Sequence, residues 1–188
     1  MRDITTTVYK FDELDDSAQA KAVELIRDKL SADWWDSSDN DQVTEDIVYA
    51  IAEALKTPGW DTYGPGDFPG IPHLTIEGWD LERGEYVSVQ GRLNAENAPA
   101  LPWSIATHAS LTRYRHGGQV EWFEDDSSWP LVADMEEVQA LQQAWENVLH
   151  AAIKAGRDAI EYKTSEEYAR DWLAGNDNQE FDEEGNIA

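Results

Sequence analysis

The chain has 188 residues, enough for a packed core, and its 41% hydrophobic content with nine tryptophans excludes a globally disordered chain. It has no cysteine and no apolar run near 18 residues, which excludes disulfides, thiol chemistry and a membrane-spanning helix. Fourteen basic residues stand against 39 acidic ones; a net charge of −25 repels nucleic acid and anionic membranes and attracts basic surfaces.

Ile4 to Phe11 alternates β-branched and aromatic residues and reads as a strand. Asp15 and Asp16 then open a helix with Ala18, Ala22, Leu25, Ile26 and Leu30 on one face, its first-turn carboxylates favouring the helix dipole. Ser31–Asn40 is a linker that sets Trp34-Trp35 among Asp33, Asp36 and Asp39. A second helix, about Asp41 to Lys56, turns Val43, Ile47, Ile51, Ala54 and Leu55 inward and exposes Glu45 and Asp46; Thr57-Pro58-Gly59 stops it. A Gly/Pro-rich loop, 60–72, follows.

His73–Leu81 and Tyr86–Leu93 alternate as two strands joined through Glu82-Arg83-Gly84-Glu85. After a polar loop, Trp103–Tyr114 and Gln119–Glu124 form a second hairpin around Arg115-His116-Gly117-Gly118. Asp125–Trp129 is an acidic loop before Pro130.

From Met135 to Lys163 the apolar residues Val138, Leu141, Trp145, Val148, Leu149, Ala152, Ile153, Gly156, Ala159 and Ile160 recur at steps of three and four, one stripe of a long helix. Asp134 is placed to cap it, with Glu137 closing a capping box. Ser165 caps a last short helix, with Tyr168, Trp172 and Leu173 inward and Gly175 at C′. Residues 176–188 are acidic, either disordered or a short hairpin in which Phe181 and Ile187 flank a Gly185 turn.

The architecture expected is therefore a single α+β domain, residues 1–175, followed by an acidic segment, 176–188. A mainly antiparallel sheet of four to six strands is covered by the long helix and the N-terminal helices.

The acid is spread along the chain, with net charges of −8 over residues 1–56, −7 over 57–133 and −10 over 134–188. Solubility accounts for a net charge of only about 2–8 in a small domain. A compact chain of this length is roughly 42 Å across, and ~42 Å of B-DNA also carries about 25 charges. Adaptation to high salt is the competing explanation of the same surplus.

Four features fall in order along the chain: Phe11-Asp12-Glu13-Leu14 before an alanine-rich helix; Trp34-Trp35; Gly78-Trp79 leading through Gly84 to Gly91; and the closing run Asn176 to Gly185. In these the chain resembles a loosely defined family of uncharacterised phage and prophage proteins. That family opens with a Phe-Asp-Glu-Leu-Ser helix start, carries a Gly-Trp hairpin and ends in Asn-x-x-x-Phe-x-x-x-Gly. Here Asp15 replaces the usual serine, and Trp79-Asp80-Leu81-Glu82-Arg83 replaces the family's Trp-Ser-Gln-Gly-Asp. The resemblance implies a mobile-element origin, where small acidic proteins inhibit host defence or nucleic-acid enzymes.

Catalytic and metal signatures are weak. His73, His108, His116 and His150 have no zinc-binding spacing. Asp39-Asn40-Asp41 lacks the glycine of a calcium loop. Glu121 and Glu124 near Trp122 and Trp129 suit a small hydrolase only if two carboxylates face each other across a cleft. Packing in the core is the simplest expectation for the tryptophans, including Trp34, Trp35 and Trp129 in their acidic loops. Exposed, those three would suit arginine-rich surfaces.

The function expected is a non-enzymatic acidic binding protein of the host cytoplasm, with no metal or cofactor. It would block a basic nucleic-acid-binding surface of a host protein, as a DNA mimic, anti-CRISPR or anti-restriction inhibitor does. It would not bind nucleic acid or membrane itself, and a homodimer is compatible with it. The candidate contact residues are Asp33, Trp34, Trp35, Asp36, Asp39, Asp41, Glu45 and Asp46, with Glu124, Asp125 and Asp126. The alternatives are an antitoxin-like neutraliser of one basic partner, or a hydrolase with a Trp-lined acidic cleft.

Overall fold

The structure, a computed structural model, describes residues 7–33, 39–59, 71, 73–81, 85–114, 117–125, 127–132 and 134–188. Among the described residues four α-helices and a four-stranded antiparallel sheet make it α+β, as expected. Its residues group into two compact units, one of residues 1–40 and 159–188 and the other of residues 41–158.

The unit of residues 41–158 holds the sheet. Strands β1 (Leu74–Asp80), β2 (Tyr86–Asn94), β3 (His108–Tyr114) and β4 (Gly117–Phe123) follow one another as an antiparallel meander, β1-β2-β3-β4. Alternation sets the inner face, because successive side chains point to opposite sides. Val89 lies opposite Ile76; Leu93, Ala109 and Trp122 make one row across three strands, and Leu74, Gly91, Leu111 and Val120 make another across all four. Gly91 (φ +142) interrupts that second row because the His73 carbonyl occupies its side-chain space: a Cβ there would lie 2.0 Å from the oxygen. A bulge between Ile76 and Gly78 shifts the β1–β2 register.

The third strand starts at His108, not at the expected Trp103. The Trp103 indole donates to the Ala98 carbonyl (2.8 Å) and its ring meets Trp122 edge-on at 5.8 Å, which turns residues 95–107 into a packed loop.

Helix α2 (Asp39–Leu55) buries Val43, Ile47, Ile51, Ala52 and Leu55 completely. It ends at Leu55, one residue before the expected end, with Lys56 as its left-handed closing residue. Lys56 is left-handed (φ 54), its N–H donates to Glu53 O (3.1 Å), and the Thr57 N–H donates to Ala52 O (3.0 Å). That is a Schellman closure with lysine where glycine is usual. The Thr57 hydroxyl then donates to Asn97 O (2.7 Å), and the Ala100 N–H donates to Leu55 O (3.1 Å), tying the β2–β3 loop to the helix end.

Helix α3 (Glu136–Lys163) begins one residue beyond where an Asp134 cap would start it; of the expected stripe it buries Val138, Leu141, Trp145, Val148, Ala152 and Gly156, while Leu149, Ile153, Ala159 and Ile160 along its border are half-buried. Gly156 admits close packing: a Cβ would lie 2.6 Å from Leu81 Cδ1 and 3.1 Å from Ile47 Cδ1. A glycine in mid-helix costs about 0.5–1 kcal/mol relative to alanine, which this close approach offsets.

The other unit is built on α1 (Asp16–Asp33) and α4 (Glu166–Gly175), with the last five residues of α3. Asp15 Oδ1 accepts the Ala18 N–H (2.8 Å), and Ser165 Oγ accepts the Tyr168 N–H (3.1 Å), so both helices start on side-chain caps. Leu14, Ala18, Ala22, Val23, Ile26, Ala169 and Leu173 form the core around Phe181, which is fully buried. Leu25, expected on this inner face, is exposed, and Val23 takes the place.

Only Tyr9 of the expected strand Ile4–Phe11 pairs among the described residues, through a bridge to Phe181; residues 4–6 lie outside them. Phe11–Glu13 coils into a 3-10 turn, held by the Glu13 carboxylate accepting the Lys10 N–H at 2.8 Å. The segment after α4 is an ordered part of this unit. Phe181 bridges both Tyr9 and Ile187, and Gly185 makes the turn between. Gly175 is the last residue of α4 and not its C′; Asn176 (φ −116) is the C-cap. Among the described residues no helix is long and apolar enough to cross a membrane.

Candidate functional site

The expected contact residues fall in several places. Trp34, Trp35, Asp36 and Asp126 lie outside the described residues. Asp33 is the last residue of α1 and Asp39 the first of α2, both in the unit of residues 1–40 and 159–188. Asp41, Glu45, Asp46, Glu124 and Asp125 belong to the other unit, where their relation to one another can be stated.

Asp41 is exposed near the N-terminus of α2, where a carboxylate is favoured by the helix dipole; Glu45 and Asp46, one turn on, are half-buried. Glu45 accepts from Gln42 Nε2 (3.1 Å). The Trp79 indole donates to Thr44 Oγ1 (3.1 Å), which fixes this turn of α2 beside the last residues of β1.

Glu124 and Asp125 are exposed where the chain leaves β4. Asp125 is left-handed (φ 44), and the Ser127 N–H donates back to Glu124 O at 3.1 Å, closing a tight turn. The Trp129 N–H then donates to Ser127 Oγ (3.1 Å), and that hydroxyl donates to Trp129 O (3.2 Å). The outcome corrects the expectation of packing: the Trp129 side chain is 80% exposed, and Val132 beside it is 62% exposed. A large apolar ring standing in water is the informative kind of exposure.

The two acidic groups sit at opposite corners of the sheet. Trp79 is paired with Val87 near one end of β2, while Glu124 follows Phe123 at the other end, three strands away. Three interstrand steps of ~4.8 Å and seven residues at ~3.4 Å separate Trp79 from Phe123 by roughly 28 Å. At physiological salt that is about three Debye lengths, so each corner acts on a partner by itself.

Between β4 and the first half of α3 runs a groove of ≈ 360 Å³. Val120, Trp122, Pro130, Leu131 and Val138 give it an apolar floor; Gln139, Gln142, Gln143, Glu121 and Glu146 supply its polar walls. Among the described residues neither lysine nor arginine lines it. The Trp122 ring is 3% exposed and its indole donates to Gln142 Oε1 (3.4 Å), so this tryptophan offers no open face. Glu121 borders the groove, whereas Glu124 lies past it in the loop. The sequence carried no signal for this groove, because its two walls are about twenty residues apart and meet only through the packing of α3.

The histidines are dispersed. His73 (φ 66) and His150 are exposed, His108 stacks on Phe123 at 5.0 Å, and His116 lies outside the described residues. Among the described residues no group of three or more histidine, aspartate or glutamate side chains is placed to hold a metal ion.

Comparison with protein-family models, with curated proteins and with solved structures returns no match to this chain.

Proposed function

We propose that this protein is a non-enzymatic acidic inhibitor of phage origin that occupies a basic, nucleic-acid-binding surface of a host protein. The observation that carries the reading is Trp129, 80% exposed beside the exposed carboxylates of Glu124 and Asp125. An aromatic face next to carboxylates matches an arginine on both counts, through cation–π contact and through ion pairing. Internal pairing does not use up the charge: if each of the 14 bases held one acid, 25 acids would remain. The Asp41, Glu45 and Asp46 corner offers a second patch to a large partner. In the hydrolase reading a tryptophan lines the acidic cleft, and the buried Trp122 ring gives it no support there.

The test is capture from a host lysate on immobilised protein at about 50 and 500 mM salt, followed by elution with duplex DNA. The reading expects a nucleic-acid-binding protein that is retained at low salt, lost at high salt and displaced by DNA. Retention indifferent to both salt and DNA would overturn it.

A further inference from the structure

Among the described residues the outer edge of β4 is open for pairing beyond Trp122, and its direction follows from two hydrogen bonds. The Thr107 N–H donates to Phe123 O (2.8 Å), so the Phe123 carbonyl faces β3. Main-chain groups alternate along a strand, which turns those of Trp122 and Val120 away from β3. The Leu131 N–H reaches the Trp122 carbonyl from that outer side at 2.6 Å. Among the described residues that is the bond made to this edge. The next outward pair, the N–H and C=O of Val120, opens on the groove against α3.

We infer that this groove takes an extended basic segment of a partner protein, which adds to β4 as a fifth strand. The inference rests on the function proposed above and names the segment recognised. An edge with unpaired main-chain groups is a template for another strand. With the Trp122 carbonyl taken by Leu131, the three residues Gln119 to Glu121, about 10 Å at ~3.3 Å per residue, present it through the outward N–H and C=O of Val120. Side chains on the α3 side of the segment would enter the floor of Val120, Leu131 and Val138 and reach Glu146, while those between lie on the sheet face of Glu121. With two carboxylates and, among the described residues, no cation on its walls, the groove selects lysine and arginine and repels an acidic strand. The same charge argues against a second copy of this chain, whose β4 edge would bring the same glutamates. Trp129 stands in the connection that carries Leu131, within the same stretch of chain, as a cation–π contact for a segment running past the groove.

The experiment uses the full chain and a fluorescent peptide, acetyl-Lys-Val-Arg-Val-Lys-Val-Arg-amide, read by anisotropy and by amide hydrogen exchange of residues 119–122. The comparison peptide has the same side chains but N-methyl groups on alternate residues, which removes strand pairing and keeps charge. Stronger binding of the first peptide by about tenfold or more, slowed exchange at Val120, and loss of both on E121K/E146K are the expected results. If both peptides bind equally, or exchange at Val120 is unchanged, the strand-addition site is wrong. The proposed function survives that result provided DNA still displaces the captured partner. Absence of both peptide binding and DNA displacement removes the two together.

Discussion

Gly185 packs against the first turn of α1 so closely that a Cβ on it would lie 2.2 Å from the carbonyl oxygen of Ala18. Its φ of +82 lies where side chains are disfavoured, and the obstructing atom is backbone, which cannot rotate aside. Gly185→Ala should therefore cost about 2 kcal/mol or more in urea denaturation, from the left-handed strain and the clash together. Gly175→Ala is the matched control: it is helical with open space around it, and its stability should stay within ~1 kcal/mol of the parent or rise.

Thr57 and Asn97 stitch the end of α2 to the β2–β3 loop. Thr57→Val keeps the shape but leaves the buried Asn97 carbonyl without its 2.7 Å donor, a loss of about 1–3 kcal/mol. Asn97→Ala also orphans the Arg92 carbonyl and the Asn94 N–H, which Asn97 now satisfies at 2.7 and 2.8 Å, and should cost more. Because both act on one loop, the double mutant should lose less than the two single losses combined.

Asp182 is held below its ordinary value of 3.8, first by the Asn186 side-chain amide and then by the Asn186 and Glu184 backbone N–H groups. A depressed carboxylate stabilises the fold above its unfolded value, and that stability is lost as the pH falls through the folded value. An acid melting series should show a drop setting in near pH 4 that is shallower in Asp182→Asn. Tyr162 runs the opposite way: its hydroxyl donates to Asp171 at 2.9 Å, its pKa is raised above 10.0, and the stability it adds is lost as the pH climbs past that value.

Trp129 should be the first tryptophan reached by a collisional quencher among those described, since Trp122 and Trp145 are 3% and 2% exposed. Trp129→Phe should lower the quenchable fraction of the emission and leave stability within ~0.5 kcal/mol of the parent. A large loss of stability would show that the ring packs in solution.

Self-repulsion of a net −25 opposes compactness at low ionic strength. Raising salt from 0.01 to 0.1 M shortens the screening length from about 30 to 10 Å, and the melting temperature should rise across that interval, then level off. A chain that stays unfolded until molar salt would instead owe its acid to a saline environment.

What was legible in the sequence is what is local. The stripe from Val138 to Gly156, the Ser165 cap and the alternation in β1 and β2 each depend on residues within a few positions of one another. Tyr9 shows where that stops: its flanks alternate as a strand should, but its partner is Phe181, and pattern alone cannot say whether a partner exists. Trp129 was misread for the opposite reason. Residue type argued for burial, while the tight Glu124–Ser127 turn and the Ser127 hydroxyl hold the ring outward. The groove was invisible because neither β4 nor α3 contains it.

The Tyr9–Phe181 bridge also sets an order of assembly. A ribosome delivers residues 41–158 as one continuous stretch, and the meander within it can pair strand by strand as it emerges. The unit of residues 1–40 and 159–188 must wait, because α1 is made before that stretch while α4 and Phe181, which complete its core, are made after it. During synthesis Ala22, Val23 and Ile26 stay uncovered until α4 and Phe181 have emerged. A chaperone that holds nascent chains would find its binding site there, and a premature stop before Phe181 would leave that site permanently open.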